Sequence, residues 1–550
     1  MEASLSREIL FPLKLGGFYW SLFWAVNIAL AGFSFFCILA VMIRDGRLIV
    51  RPAFMIAVLL HILFQWPLAI FSLAVERSLP ELWFFAASVH ITVLTLIIWL
   101  AVTRRLTIKL VNPGGRSIQG HRTITFKSEA VLVALLISLA LFYIGKVGWK
   151  CTGLYALIFD PEMTLLARET SGKILGTGLA AYGHGILVNV VCPFVFYISL
   201  AHISDALIKK RVFVMIAWML ILVISFLSAL LPGAKGAIQP IFIFSGIVYM
   251  ARENTWVKRI VFATLAIGLG LVLMTALQVI LKQAGTGCYD FAACVSSQGK
   301  CQTSKNLIQS LRYRDLSLGL SIHTVDEIER DLSVACSDPH SYESRRCRNN
   351  RYEAPNLSET VVHRDSETVV HRDTDVISNQ RYFQAVLYRI FVVPVQVAGW
   401  YHLYVAEHGS PGLCAFPFTS RLCGNRVDMP LRIQEQYHHI YSGDDRTATG
   451  TVPTSFLLAY PAYLGFFGIV LSLFAVLVFD LVACSILALV SSHLRIFGIA
   501  LLAITCVNFM LSDFGTVLLT HGAVAGLILL AILSYIEGKF RSLPDAVQKY

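Results

Sequence analysis

The chain has 550 residues, of which 56% are hydrophobic and only 14% charged, against about 45–50% and about 25% in soluble domains. A mean hydropathy of +0.67 points the same way, so the length divides into membrane spans and not into soluble domains. The net charge of +11 is not a nucleic-acid footprint, because excess Lys and Arg in a polytopic protein collect in cytoplasmic loops.

Apolar runs lie at 19–43, 53–75, 82–103, 129–148, 176–201, 212–232, 236–251, 259–281, 386–404, 454–490, 496–512 and 515–536. Most have about 20 residues, enough to cross about 30 Å of hydrocarbon. Tyr19-Trp20, Trp149 and Trp400-Tyr401 stand at run ends, where interfacial aromatics belong. The first run has no small-residue cleavage site after it and reads as a retained span.

Short loops set the orientation. Arg44, Arg47 and Arg51 follow the first run, and Arg104, Arg105, Lys109, Arg116, Arg122 and Lys127 the third. Lys209, Lys210 and Arg211 follow the fifth, and Arg252, Lys258 and Arg259 the seventh. Odd-numbered spans therefore end in the cytoplasm, and 284–385 lies outside it. The run at 386–404 reads as a re-entrant or tilted interfacial helix, since a crossing there would leave either 454–490 or the basic tail misplaced, and no turn signal splits 454–490. The expected fold is an all-α polytopic membrane protein with about 11 transmembrane helices plus that re-entrant helix. Its parts are 1–283 (spans 1–8), 284–385 (an extracytoplasmic loop domain with cysteines), 386–453 (the re-entrant helix and a second outer loop) and 454–550 (C-terminal spans).

This topology sorts the 12 cysteines. Cys151, Cys288, Cys294, Cys301, Cys336, Cys347, Cys414 and Cys423 fall outside, where disulfides form; their pairing is left open. Cys37, Cys192, Cys484 and Cys506 fall in spans and read as buried thiols. The outer set lacks metal-ligand spacing, so no metal or other cofactor is expected. The octapeptide at 358–365, SETVVHRD, recurs at 366–373; two copies are too few for a solenoid and read as a linker.

Outer-facing charge is scarce and so informative. In GLYALIFDPEMTLLARETSGKILGTG (153–178), Arg168 and Lys173 precede a Gly-rich helix entry that could hold an anion with cations and backbone N–H groups. The alternative is a cap whose cations reach lipid headgroups. In LLPGAKGAIQP (230–240), Lys235 opposes the positive-inside bias, and a lipid-linked phosphate would explain it. In RIFVVPVQVAGWYHLYVAEHG (389–409), Arg389 opens an apolar helix whose Trp400, Tyr401, His402, Glu407 and His408 suit either a sugar-contacting cleft or an interface belt. In QEQYHHIYSGDDRTATG (434–450), His438, His439, Asp444 and Asp445 suit an acid–base site or a solvated loop. Inside the spans His61, His90, His184 and Asp480 read as few and scattered, and Asp480 needs a partner.

These stretches, with FLLAYPAYLGFFGIVL near the end and their order along the chain, resemble the Wzy-type polymerases of bacterial O-antigen and other repeat-unit polysaccharides. The resemblance covers about 130–490 and leaves out the cysteine-bearing insert. It implies a GT-C-like, metal-independent membrane glycosyltransferase in the bacterial inner membrane, with its large loops periplasmic. Such an enzyme joins undecaprenyl-diphosphate-linked oligosaccharide repeat units at the outer leaflet, with a flippase and a chain-length regulator as partners. The family's paired Arg-to-Gly segments have near counterparts here, Arg168 to Gly178 and Arg389 to Gly399, each with nine residues between, one short of the family pattern. On this reading Arg168, Lys173, Lys235 and Arg389 hold the diphosphate. His438 and Glu407 are the favoured acid–base residues, and Trp400, Tyr401, His402 and His408 line the acceptor cleft. The rival expectations are an O-antigen-ligase-type transferase with the same donor and a lipid or glycan transporter, which would carry inverted repeats.

Overall fold

The computed structural model describes residues 18–45, 48, 50–70, 79–104, 126–160, 163–176, 179–233, 238–252, 391–416, 423, 429–433, 436 and 454–537. Among these every regular element is helical. Eight helices are long and apolar enough to cross a membrane. They are α1 (Phe18–Arg44), α2 (Pro52–Ile70), α3 (Leu79–Val102), α4 (Phe126–Val147), α7 (179–208), α8 (Val212–Leu230), α12 (Phe466–Leu489), and the pair α14 (Phe514–Leu519) and α15 (Ala523–Ile536) taken together. Between α4 and α7 lie two short helices, α5 (Gly153–Phe159) and α6 (Thr164–Leu175). The remaining helices are α9 (Gln239–Arg252), α10 (Val393–His408), α11 (Phe456–Leu464) and α13 (Ser492–Phe509). The expected run at 259–281 lies outside the described residues.

The run at 454–490 is not one continuous helix. Gly465, at φ +58 and ψ −137, breaks it between α11 and α12, in a backbone region that a residue with Cβ enters at a cost. The two helices fold into a hairpin so tight that a Cβ on Gly468 would stand 2.0 Å from the Tyr460 carbonyl oxygen. At nine residues α11 is about 14 Å long, too short to cross. The expectation that no turn signal interrupts this run is therefore corrected: a single glycine does so, in a stretch whose apolar character continues on both sides.

Asp480, mid-way along α12 and fully buried, has its partner in Arg51, which is 1% exposed. Its Oδ1 accepts from Ala53 N–H (3.1 Å), capping the start of α2, and its Oδ2 accepts from Trp99 Nε1 (3.0 Å) and from Arg51. The Arg51 Nη1 donates in turn to Thr103 Oγ1 (2.7 Å) and the Thr103 carbonyl (3.2 Å). Read from the sequence as one more loop cation, Arg51 instead ties α2, α3 and α12 together. A desolvated charge in an apolar bundle is tolerable only with such pairing.

His61 and His90 are not scattered either. Trp66 Nε1 donates to His61 Nε2 (2.8 Å), which leaves the His61 proton on Nδ1, donating to Gln65 Oε1 (2.6 Å). The Gln65 amide donates to Ser34 (3.3 Å) and to His90 Nδ1 (2.8 Å), and His90 Nε2 donates to Asn27 Oδ1 (2.8 Å). Every ring nitrogen is thereby used with both imidazoles neutral. The chain of bonds holds α1, α2 and α3 together at a π turn, His61–Gln65.

The cysteines that can be seen divide into bonded and free as the sequence indicates, except that Cys37 is half-buried and not buried. Cys414 and Cys423 form a disulfide, Cys151 is disulfide-bonded, and Cys37, Cys192, Cys484 and Cys506 are free. Cys288, Cys294, Cys301, Cys336 and Cys347 lie outside the described residues.

Candidate functional site

Cys151 follows directly on α4, in a single 3-10 turn, Trp149–Cys151. At this disulfide-bearing end the chain doubles back through α5 and α6 before entering α7. Thr152 caps α5 by accepting from the Tyr155 N–H (3.1 Å). Two of the cation-bearing segments singled out in the sequence meet here. The Leu154 N–H donates to the Leu231 carbonyl (3.1 Å), and a Cβ on Gly153 would stand 2.2 Å from the Pro232 carbonyl oxygen. Residues 153–154 and 231–233 thus pack backbone against backbone, which only glycine at 153 permits.

Arg168 is exposed on α6. One turn on, Ser171 donates to the Arg168 carbonyl (2.9 Å). Behind it stand Tyr143 of α4 and His184 of α7, with ring centroids 5.3 Å apart. Arg168 lies within electrostatic reach of His184, and Tyr143 lies beside Ser171. The Tyr143 hydroxyl and His184 Nδ1 are both buried without a hydrogen-bond partner among the described residues. Each such orphan costs about 1–3 kcal/mol, and the two belong to neighbouring rings, one of them within electrostatic reach of Arg168. The backbone at His184 is held firmly: Asn189 Nδ2 donates to the Gly185 carbonyl (3.2 Å), and a π turn, Leu187–Val191, follows. Such turns are frequent at functional sites. Sequence reasoning grouped His184 with the scattered intramembrane histidines and passed over Tyr143, because neither has a neighbour of interest in sequence.

The α10 residues divide into two sets. Trp400, Tyr401 and His402 are 3%, 1% and 5% exposed, so they pack within the bundle and do not form an interface belt. Tyr401 faces Tyr463 of α11, whose hydroxyl burial holds in its neutral form. His402 lies against Phe84 and Phe85 of α3, and its Nε2 has no hydrogen-bond partner among the described residues. Glu407 and His408 are exposed at the end of the helix. Glu407 accepts from Gln436 Nε2 (2.7 Å), and His408 stacks on Tyr404 at 4.3 Å. Lys173 is on α6 with its side chain outside the described residues, as are Lys235, Arg389, His438 and His439 altogether. Trp400 and Tyr401 gave no sign of burial in sequence because an aromatic pair at a helix end reads the same way at an interface and in a core.

α10 is not among the eight candidate spans. Burial holds the His402 imidazole down at about 4, against an ordinary 6.5. The folded value lies below the unfolded one, so the contribution of neutral His402 to stability is complete above about pH 6.5 and is lost as pH falls toward 4. At about 1.4 kcal/mol for each unit, the full loss is roughly 3 kcal/mol. His402→Gln is expected to flatten the fall in melting temperature over that range; an unchanged slope would assign the acid sensitivity elsewhere.

No metal-binding group of three or more His, Cys, Asp or Glu side chains occurs among the described residues. No family model, no curated protein and no solved structure matches the chain.

Proposed function

We propose that the chain is a membrane glycosyltransferase that polymerises undecaprenyl-diphosphate-linked oligosaccharide repeat units into a surface polysaccharide. It is multi-pass in a bacterial inner membrane, GT-C-like with about 11 spans, and works at the outer leaflet, which the disulfide-bearing end faces because disulfides persist in oxidising compartments. The observation that supports this reading is the packing at that end of 153–154 against 231–233, with Arg168, further along the first segment, within electrostatic reach of the orphaned His184. A cation there, next to apolar spans, suits a diphosphate headgroup whose polyprenyl tail stays in the bilayer.

In the proposed reaction the oxygen of an acceptor sugar hydroxyl bonds to the anomeric carbon of the growing glycan. The bond from that carbon to the diphosphate oxygen breaks, and the lipid diphosphate leaves with the electron pair. The acceptor proton passes to a carboxylate or imidazole, Glu407 or His438 in this proposal, or to water. Arg168, Lys173, Lys235 and Arg389 offset the charge developing on the leaving group without a metal. Tyr401 and His402 shape the acceptor side from within α10. A flippase supplies the repeat unit and a chain-length regulator ends the polymer.

Arg168→Ala is expected to reduce long-chain polymer at least about 100-fold, as loss of a transition-state charge partner does, while the protein still inserts. The readout is the ladder of chain lengths on a gel, with Lys235→Ala and Arg389→Ala beside it. A normal ladder in all three variants would sink the assignment.

A further inference from the structure

We infer that Tyr143 and His184 complete, with Arg168, a pocket that holds one phosphate group, an inference that rests on the function proposed above. The three come from different helices, α4, α7 and α6, and meet only in the fold. Tyr143 is 2% exposed and its hydroxyl has no partner among the described residues; neither has His184 Nδ1. A phenol offers an O–H, an imidazole with its proton on Nδ1 offers an N–H, and Arg168 offers a fork of N–H donors. The two rings lie 5.3 Å apart and Arg168 is within electrostatic reach of His184, and three donors of this kind, one of them charged, suit an acceptor-rich anion. A sugar hydroxyl would use at most two of them, whereas a phosphate can accept from all three.

The surroundings fit a preorganised site. Ser171 spends its proton on the Arg168 carbonyl, and its oxygen lies beside the Tyr143 hydroxyl, which a bound phosphate would draw away from it. On the opposite side the α7 backbone cannot retreat, because Gly185 is packed so closely on Thr520 that a Cβ would stand 1.6 Å from its carbonyl oxygen. The adjoining loop is itself tied down: Ser512 pairs with His521 Nε2 (3.3 Å), and Asp513 caps α14 through the Gly515 N–H (2.9 Å) while accepting from the Tyr460 hydroxyl (2.9 Å). The donors are thus held in place before a ligand arrives. Arg168 is exposed, His184 half-buried and Tyr143 buried, so the three run from the surface inward.

The phosphate has two possible sources, a lipid diphosphate headgroup and free inorganic pyrophosphate. The experiment uses the purified full-length protein, titrated calorimetrically with a short-chain polyprenyl diphosphate and, separately, with pyrophosphate. Wild type is expected to bind at least one probe, and which of the two it takes identifies the source. Tyr143→Phe and His184→Leu are each expected to weaken that binding at least about 10-fold, as loss of a hydrogen bond to a charged group does. His184→Gln, which keeps an N–H donor, is expected to bind more tightly than His184→Leu; a merely structural role for the imidazole gives no such order. Binding unchanged in Tyr143→Phe and His184→Gln and His184→Leu, but lost in Arg168→Ala, overturns this inference and leaves the proposed polymerase standing. Failure of the wild type to bind either probe also overturns it, and the polymer ladder of the Arg168→Ala strain then decides the fate of the broader reading separately.

Discussion

Asp480→Ala is expected to cost about 3–5 kcal/mol, enough to lower the melting temperature of the detergent-purified protein sharply. The cost does not come from losing an attraction alone. It comes from leaving the charge of Arg51, at 1% exposure, without its Asp480 counter-ion inside an apolar bundle, with its bonds to Thr103 remaining. Asp480→Ala also uncaps the Ala53 N–H and strips the Trp99 indole of its acceptor. The double replacement Arg51→Met with Asp480→Leu removes both charges and keeps the volume, so it is expected to recover most of the loss. A double variant no more stable than Asp480→Ala would show that the pair is not the source of the effect.

Gly185→Ala is expected to be the second most damaging single change. The added methyl would need the space of the Thr520 carbonyl oxygen, 1.6 Å away, and neither partner is a flexible side chain. One backbone has to move: either α7 shifts away and carries His184 off Tyr143, or the turn before α15 is displaced and breaks the Ser512–His521 contact. Overpacking of this kind costs about 1–3 kcal/mol or more. Phosphate binding is expected to fall with it, whereas Gly183→Ala, two residues earlier and where the nearest atom is a Leu139 methyl at 3.7 Å, is expected to be tolerated in both assays. Equal loss in the two variants would show that helix substitution as such, and not the contact with Thr520, is responsible.

The amount of this molecule legible in the sequence differs by element. Long apolar helices such as α1, α3, α4 and α8 are evident because span length and hydropathy are local properties. The free thiols of Cys37, Cys192, Cys484 and Cys506 follow from the same reading. The Arg51–Asp480 pair was hidden because its members are 429 residues apart and because Arg51 satisfies the loop-charge rule equally well. The break at Gly465 was hidden because a glycine within an apolar run is common, and only its left-handed φ makes it a turn. At the candidate site, Arg168 could be picked out as a charge expected outside the cytoplasm, ahead of a glycine-rich stretch. Tyr143 and His184 could not, since what marks them is a missing hydrogen bond, a property that exists only after helices from separate parts of the chain have been packed together.

The two π turns have a consequence for how this chain can change. Each carries one residue more than the same stretch of α-helix, and every residue beyond it is rotated by about 100°. Deleting one residue within 187–191 would yield a smoother α7 yet swing Phe194 and Tyr197 away from Phe244 and Phe497, against which they now pack. The same holds for 61–65, where the lost residue would misalign Gln65 between its two histidines. In these helices residue identity is negotiable over much of the surface, but residue number is not. A chain built this way is expected to tolerate insertion or deletion in the connections between its helices and not within 61–65 or 187–191.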